Sequence, residues 1–293
     1  MSVDPDWREL TARAAFASHR LIGWIYWDPT AIENHAALGI ENGMGYYISS
    51  RAGGLADAGP DVVTAAFYSI HPDFVSFSLR VAAEVATTEQ VQMARDAAVE
   101  SGLHGFVPEI CEELAALGPS LWEVVDALPL AGRPLFAALR QRRRPDAPLV
   151  SAWLAVNAIR EWRGDTHFAL HVAEDLDGAA AGLLDAAWRG HDDDWLPRSR
   201  GADDTAITAS IAALTARGLA ADGRVTTPGI EYRQHLEDHL DDLCSVAWKQ
   251  LGEAQTLAFC NLIEPVGDLL VERINMTAGD RWMPAARKRG MDR

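Results

Sequence analysis

The sequence predicts a mainly α-helical fold into which a short two-stranded β-hairpin is inserted, and residues 206–229 indicate this most clearly. Gly218 is placed to end a helix there, because glycine adopts the left-handed conformation after a helix without strain. Before it, apolar residues recur four and three positions apart, the spacing of one helix face: Ile207, Ile211 and Leu214.

A hairpin signal follows this helix directly. Asp222-Gly223 favours a two-residue turn, and the β-branched segment 225–227 supplies the returning strand. Pro228 suits the first turn of a further helix. Helix, hairpin and helix in this order form the winged-helix layout, which we therefore expect in the second half of the chain.

A second hairpin is predicted in the first half, because residues 53–65 repeat the pattern of residues 217–227 with a two-residue insertion. Each segment has Gly-Leu, an Ala/Asp/Gly turn and a Val-Thr strand, and each is followed by a proline at the start of a long helix, Pro72 and Pro228. We interpret this as a diverged internal duplication. The alternative is a chance similarity between two short segments rich in Ala and Gly.

The predicted domain boundary is the Pro-rich segment 145–148. It divides a diverged winged-helix-like domain, residues 1–145, from a winged-helix domain, residues 146–293. The predicted fold class is thus mainly α, a tandem winged-helix pseudo-dimer with short two-stranded β-wings. We expect the tail after Asn275 to be loosely ordered.

Further helices are predicted from apolar periodicity, helix-start residues and glycine or proline breaks. Asp28-Pro29 marks one helix start, and Gly164 and Asp165 are expected to interrupt the longest helix. In chain order these helices cover residues 6–27, 30–38, 43–51, 73–85, 89–101, 109–117, 121–128, 135–140, 149–175, 179–188, 230–251 and 253–274.

The line from Leu214 to Gly229 resembles the wing of MarR-type regulators, in which an apolar "L..RGL" precedes an acidic-Gly turn and a "TxxG" helix start. Those regulators are obligate dimers with ligand pockets near the joint between dimerisation helices and winged helices. The resemblance implies a single-chain pseudo-dimer that is a monomer or forms a homodimer. A little-characterised bacterial helix-turn-helix family is similar in the segments GYYISSRAGGL, VVTAAFYSIHP, AGRPLFAALR and REWRGDTHFALH.

The net charge of −16 disfavours DNA as the main partner, because non-specific DNA affinity comes mostly from Lys and Arg that neutralise phosphates. The basic runs 140–144 and 287–289 lie outside the candidate recognition helix 203–217. That helix begins Asp203-Asp204 and carries no basic residue except Arg217, whereas groove recognition favours Arg, Lys, Asn or Gln. DNA binding stays open, because basic residues far apart in sequence can cluster in a fold.

Composition points to a cytoplasmic protein. No run of 18 apolar residues is present, so no membrane helix is expected. The acidic, polar N-terminus does not resemble a secretory signal. Three scattered cysteines suit a reducing compartment and suggest neither a zinc site nor a disulfide framework.

The longest predicted helix carries the principal candidate site. Its apolar face continues into four basic residues at helical spacing: Arg160, Arg163, His167 and His171. They are suited to bind a carboxylate or phosphate, with Asp165 orienting His167 as a catalytic base. The alternative is an ion-pair network with neighbouring acidic residues. The two histidines have metal-ligand spacing, but no third ligand is fixed by the sequence, so no metal site is predicted.

Five more residues are candidates with weaker support. His71 is a candidate acid or base with Tyr68 nearby, or else a helix cap. Arg133, in a Gly-Arg-Pro turn, is a candidate anion contact. Trp27 and Tyr46 are candidates for an aromatic pocket wall, or else core residues.

The sequence is compatible with three functions. We favour a small-molecule-binding winged-helix protein with an anionic or aromatic ligand, not primarily DNA-binding. The second is a MarR-type, ligand-responsive transcriptional regulator. The third is a biosynthetic enzyme that uses a pocket between the halves, with Arg163, Asp165, His167 and His71 as its site. No cofactor is assigned.

Overall fold

Helices form nearly all of the regular structure. The computed structural model describes residues 5–41, 43–191 and 193–289. The α-helices of the first half are α1 (Trp7–Gly23), α2 (Pro29–Ala36), α3 (Gly43–Ala52), α4 (Pro60–Phe67), α5 (Pro72–Ala83), α6 (Thr88–Phe106), α7 (Cys111–Ala127) and α8 (Pro134–Arg140). Short 3-10 helices cover Trp24–Tyr26, Gly53–Ala58 and Pro108–Ile110.

The second half begins with the longest helix and contains the one small sheet of the described residues. Its α-helices are α9 (Pro148–Ala173), α10 (Gly178–Trp188), α11 (Trp195–Arg198), α12 (Asp204–Ala216), α13 (Thr227–Leu251), α14 (Glu253–Ile263) and α15 (Gly267–Ala278). The strands β1 (Ala220–Ala221) and β2 (Arg224–Val225) lie between α12 and α13, and a 3-10 turn covers Pro284–Ala286.

The predicted hairpin of the second half is confirmed. β1 and β2 pair antiparallel, with Ala220 opposite Val225. Asp222 and Gly223 have φ of 49° and 78°, the two positive values that a tight hairpin turn of this kind requires. With α10, α11 and α12 before the hairpin, the order is that of a winged-helix unit. Its core consists of Leu176, Ala180, Leu183, Leu184, Leu214, Leu219, Ala220 and Leu236.

The hairpin predicted at residues 53–65 is wrong. This segment forms a 3-10 helix followed by α4. Pro60 occupies the first turn of α4, and Val63, Ala66 and Phe67 form one buried helical face. The first half contains no strand in its described residues, so the tandem pseudo-dimer, which depended on this hairpin, is left without support.

The structure also differs from the prediction in where three of the helices are continuous or interrupted. α9 continues through Gly164 and Asp165, and a Cβ at Gly164 would lie only 3.2 Å from a Glu161 carboxylate oxygen. The two helices predicted over 109–128 form a single helix, α7, with Pro119 inside it. The single helix predicted over 253–274 is divided into α14 and α15.

One hydrophobic core joins the two halves. It includes Leu21 of α1, Leu121 of α7, Trp153 of α9 and Phe259 of α14, each with no exposed surface. α9 lies at the centre, because it packs against α1, α7, α8 and α13. The boundary at 145–148 is therefore a connection between two helices that share a core, and the division into two domains stays a prediction.

The linker 68–71, between α4 and α5, joins the first half to the winged-helix unit. The hydroxyl of Tyr68 donates to the carbonyl of Leu176, and the His71 N–H donates to the Arg200 carbonyl at 2.8 Å. Tyr68 has φ 50° and ψ −65°, and Ser69 N–H bonds the Phe67 carbonyl at 2.6 Å. This is a γ-turn of positive φ, a strained conformation for a tyrosine.

The tail packs against the protein up to residue 289, contrary to the prediction that it is loosely ordered. Ala286 is fully buried, and its carbonyl accepts a hydrogen bond from Arg20 Nε at 3.1 Å. The carbonyl of Pro284 accepts one from Arg189 at 2.8 Å. Within the described ranges, every helix is too short or too polar to cross a membrane.

Candidate functional site

A cavity of about 200 Å³ lies where the two halves meet. α1, α3 and the linker 68–71 contribute from the first half, and α9, α10 and α13 from the second. Tail residues 283–285 complete its wall. The cavity is thus formed by segments that are distant in sequence and meet because α9 passes through the centre of the fold.

The basic face predicted on α9 lines this cavity. Arg160, Arg163, His167 and His171 all contribute to the wall, since their spacing places them on one side of a continuous helix. The ring centroids of the two histidines are 4.0 Å apart.

Six arginines line the cavity, and the ion-pair alternative is partly realised among them. The six are Arg51, Arg160, Arg163, Arg189, Arg200 and Arg233. The fully buried carboxylate of Glu161 bonds Arg51 at 2.8 Å and Arg160 at 2.6 Å. These arginines lower the pKa of Glu161 to about 2, against the opposing effect of burial.

A second group of ion pairs connects α9, α10 and α13. Arg163 bonds Glu237 at 2.7 Å and Asp241 at 2.6 Å. Arg233 bonds Glu237 at 2.6 Å and Asp185 at 3.1 Å, and Asp185 also bonds Arg189 at 2.9 Å. Burial raises the pKa of Asp241 to about 6 in spite of Arg163, whereas the arginines hold the pKa of Glu237 well below its usual value.

Arg200, between α11 and α12, differs from the other five arginines. Its guanidinium makes no hydrogen bond or ion pair with any described residue, although it lines the cavity and is partly buried. Burial lowers its pKa, and the carboxylate of Asp185 opposes this effect.

Three imidazoles at the cavity are neutral at pH 7. Burial and the neighbouring arginines lower the pKa of His19 and of His167 well below the ordinary value. Burial, with a contribution from Arg233, lowers the pKa of His171 to about 4. The histidines therefore add no positive charge to that of the arginines.

Several buried polar atoms at the cavity have no hydrogen-bond partner among the described residues. They are His19 Nδ1, Tyr26 Oη, Arg160 Nε, Arg163 Nε, His171 Nδ1 and Arg233 Nε. Buried polar groups in native proteins are nearly always hydrogen-bonded, so six unpartnered atoms around one cavity make it the candidate functional site.

The aromatic candidates hold different places. Tyr68 stacks on the cavity residue Phe168, with centroids 5.5 Å apart, and Trp27 stacks on the cavity residue Tyr47 at 5.7 Å. Tyr68 and Trp27 therefore pack against residues that line the cavity and do not line it themselves. Tyr46 lies in the core, where its hydroxyl donates to the Ile25 carbonyl, and it is not among the residues that line this cavity.

The predicted catalytic combination of His167, Asp165 and His71 is not assembled. In a continuous helix, residues two apart point in different directions, so Asp165 faces α8, where it accepts the Phe136 N–H at 2.9 Å. His71 is half-exposed and caps α5, accepting the Asp73 N–H.

Arg133 also lies apart from the residues that line the cavity. Its Nε donates to the Thr166 hydroxyl at 3.2 Å, and its guanidinium lies 4.4 Å from the centre of the Trp162 ring. Sequence reasoning missed most of the wall, including Arg51, Arg200 and Arg233. Arg233 and Glu237 form an i,i+4 pair on α13, but many surface pairs have that spacing, so the signal does not single them out.

The exposed face of α12 is unsuited to contact phosphates. It consists of Asp204, Thr205, Thr208, Ala209, Ala212, Ala213, Thr215 and Ala216. Arg198, just before it, is paired with Asp194 at 2.8 Å and Asp204 at 2.6 Å. In the basic run 140–144, three arginines are likewise paired with aspartates.

The fold and the site define a mainly helical protein in which the segment α10–α13, with its β-hairpin, adjoins a basic central cavity. No group of three His, Cys, Asp or Glu side chains within the described ranges is arranged to hold a metal ion. The chain belongs to a helix-turn-helix family, whose model matches residues 11–277. This confirms the predicted helix-turn-helix resemblance, whereas the likeness to MarR-type regulators stays a prediction. No curated protein and no solved structure matches the chain.

Proposed function

We propose that this helix-turn-helix protein binds a small molecule in the cavity between its halves, and that DNA is not its main partner. One observation carries the proposal: six buried polar atoms without protein partners surround a single cavity. An unsatisfied buried polar group costs about 1–3 kcal/mol. A ligand that forms hydrogen bonds with several of these atoms would remove that cost. This supports the proposal that the cavity binds a ligand.

An ion-pair network alone does not account for the cavity. The carboxylates satisfy terminal nitrogens of Arg160, Arg163 and Arg233 but leave the Nε atom of each without a partner. Replacing such a network by apolar side chains is often neutral or stabilising. Stability alone therefore does not explain why three unpartnered arginine Nε atoms surround the cavity.

A ligand-responsive regulator is the second candidate, because the winged-helix unit reaches the cavity. Arg200 lies in the turn between α11 and α12, so a ligand bound to it would contact the segment that positions α12. The acidic start and the Ala/Thr surface of α12 speak against direct groove recognition. A mobility-shift assay at low salt with DNA upstream of the gene tests this candidate, and absence of binding removes it.

If the protein is an enzyme, fewer catalytic candidates lie at the cavity than the sequence suggested. Asp165 and His71 do not line the cavity, so His167 and His171 are left as proton acceptors beside Arg163. An enzymatic function has no observation of its own beyond those that support binding.

The test of binding uses the intact protein and two variants. We expect native mass spectrometry of gently purified wild type, or thermal shift with a panel of small acids and neutral aromatics, to reveal a bound compound. His171→Leu removes an unpartnered nitrogen from the wall and should abolish binding. Arg8→Met removes a surface ion pair with Asp242 and should leave binding unchanged. Failure of every compound to bind the wild type would refute the proposal.

A further inference from the structure

We infer that the ligand carries a dianionic oxyanion group, either a phosphate monoester or two carboxylates, and that this group binds Arg200. The inference deepens the proposed small-molecule function and rests on it. It concerns the chemical class of the ligand, and three features of the cavity support it: its charge, its hydrogen-bonding groups and its size.

Positive charge exceeds negative charge around the cavity. Six arginines line it, and their carboxylate partners are Glu161, Asp185, Glu237 and Asp241. Because the imidazoles are neutral, two positive charges remain without a counter-charge when Asp241 is ionised. An uncompensated charge in a partly buried site is costly, and a ligand with two negative charges would balance it.

Arg200 is the arginine at the cavity wall that has no carboxylate partner among the described residues. The other five arginines at the cavity wall each bond at least one carboxylate, at 2.6–3.1 Å. The planar guanidinium of arginine matches a carboxylate or a phosphate through two parallel hydrogen bonds. Arg200 is therefore the expected anchor of the oxyanion.

The unpartnered atoms favour an acceptor. The Nε atoms of Arg160, Arg163 and Arg233 are donors only, and the Tyr26 hydroxyl is able to donate. The two imidazole nitrogens at His19 and His171 take either role with the tautomer. Ionised carboxylates and phosphates accept hydrogen bonds without donating any, so their oxygens complement this set of donors.

The size of the cavity restricts the rest of the molecule. About 200 Å³ lies below the roughly 300–1,000 Å³ of pockets for drug-sized ligands. A compact dianion fits this space better than a nucleotide does. The aromatic rings of Tyr47 and Phe168 at the wall suit a small apolar substituent.

The experiment measures binding of matched probes to the full-length protein at pH 7.5 and constant ionic strength. The dianions are phenyl phosphate, phthalate and inorganic phosphate; benzoate is the monoanion and benzamide the neutral probe. We expect at least one dianion to bind about tenfold more tightly than benzoate, the effect of one additional charge-assisted contact. A preference for phosphate over phthalate, or the reverse, distinguishes the two sources of the dianion.

Arg200→Gln tests the anchor. Without ligand it should melt at the same temperature as wild type or higher, because an unpaired cation is removed, and it should lose the preference for dianions. Arg198→Gln, two residues away and paired on the surface, is the matched control and should keep that preference. Arg200→Lys, which keeps the charge but not the planar fork, should bind the dianion with intermediate affinity. It also serves as the test variant if Arg200→Gln does not fold.

The outcomes separate the two proposals. If benzoate or benzamide binds wild type and is lost in His171→Leu while no dianion binds better, the dianion inference is overturned and small-molecule binding stands. A dianion preference that survives in Arg200→Gln overturns Arg200 as the anchor. If no probe binds and nothing co-purifies, the proposed function itself fails.

Discussion

Asp165 lies next to the candidate site, but its carboxyl group bonds the start of α8. It is 3% exposed and caps α8 through the Phe136 N–H. Burial raises its pKa to about 7, although backbone N–H groups of Phe136 and Leu135 favour the charged form. The neutral carboxyl thus stabilises the fold fully below the unfolded pKa of about 3.9, and that stabilisation is lost as the pH rises through 7.

Substitution of Asp165 should separate capping from catalysis. Asp165→Asn keeps an acceptor for the Phe136 N–H and cannot ionise, so we expect it to be at least as stable as wild type at pH 8. Asp165→Ala removes the acceptor and should cost about 1–3 kcal/mol. Urea unfolding at pH 5 and pH 8 measures both. Loss of ligand binding in a folded Asp165→Asn would instead restore a role at the site.

The sequence predicts single residues well where one helix decides their position. Arg160, Arg163, His167 and His171 could be placed on one face because helical spacing alone fixes it. Arg200 and Arg233 could not be added to them, since they reach the cavity only through the packing of distant segments. Asp165 was misplaced because a break in α9 was expected where the helix is continuous.

At the scale of elements, the contact between the linker 68–71 and α10 leaves no space for a side chain. A Cβ at Gly178, the first residue of α10, would lie 2.9 Å from Ser69 Cα and 3.3 Å from the Tyr68 carbonyl oxygen. Both are backbone atoms, so the clash cannot be relieved by the movement of a flexible side chain. The linker and α10 must therefore separate if anything larger than glycine is placed there.

We expect Gly178→Ala to destabilise the protein by about 1–3 kcal/mol, as overpacking usually does. Gly105→Ala is the control, because a Cβ there meets no atom within 4 Å and the residue lies in α6. It should be neutral or stabilising by up to about 1 kcal/mol. Chemical denaturation gives both values. Equal stabilities of the two variants would show that the linker moves away easily.

The two hairpin predictions show where local signals suffice. Asp222-Gly223 specifies its turn through two positive φ angles, a local requirement that the sequence states directly. At residues 60–67 the β-branched Val62 and Val63 suggested a strand. Pro60 at the first turn and the burial of Val63, Ala66 and Phe67 on one side favour the helix, and burial is decided by the rest of the fold.

For the whole molecule, the shared core makes the halves depend on each other. α1 of the first half packs against α13, α14 and α15 of the second, and α9 packs along α7. Neither half can bury these faces alone. Whether the boundary at 145–148 separates two folding units is therefore a question for experiment.

We therefore expect residues 1–145 and 146–293, produced separately, to lack cooperative unfolding. Produced together they should associate, and the intact chain should unfold in a single transition followed by circular dichroism. A full-length protein with a protease site inserted between Pro145 and Pro148 is the control, since it should stay assembled after cleavage. A separate half with its own sharp transition would contradict this expectation.

The cavity wall is completed by a segment that follows the last helix, α15. Residues 283–285 contact the cavity, whereas the stretch matched by the family model ends at residue 277. This part of the wall therefore lies outside the segment that defines the family. If the cavity binds a small molecule as proposed, we expect substitutions at residues 283–285 to change which molecule fits without altering the helices that form the rest of the wall.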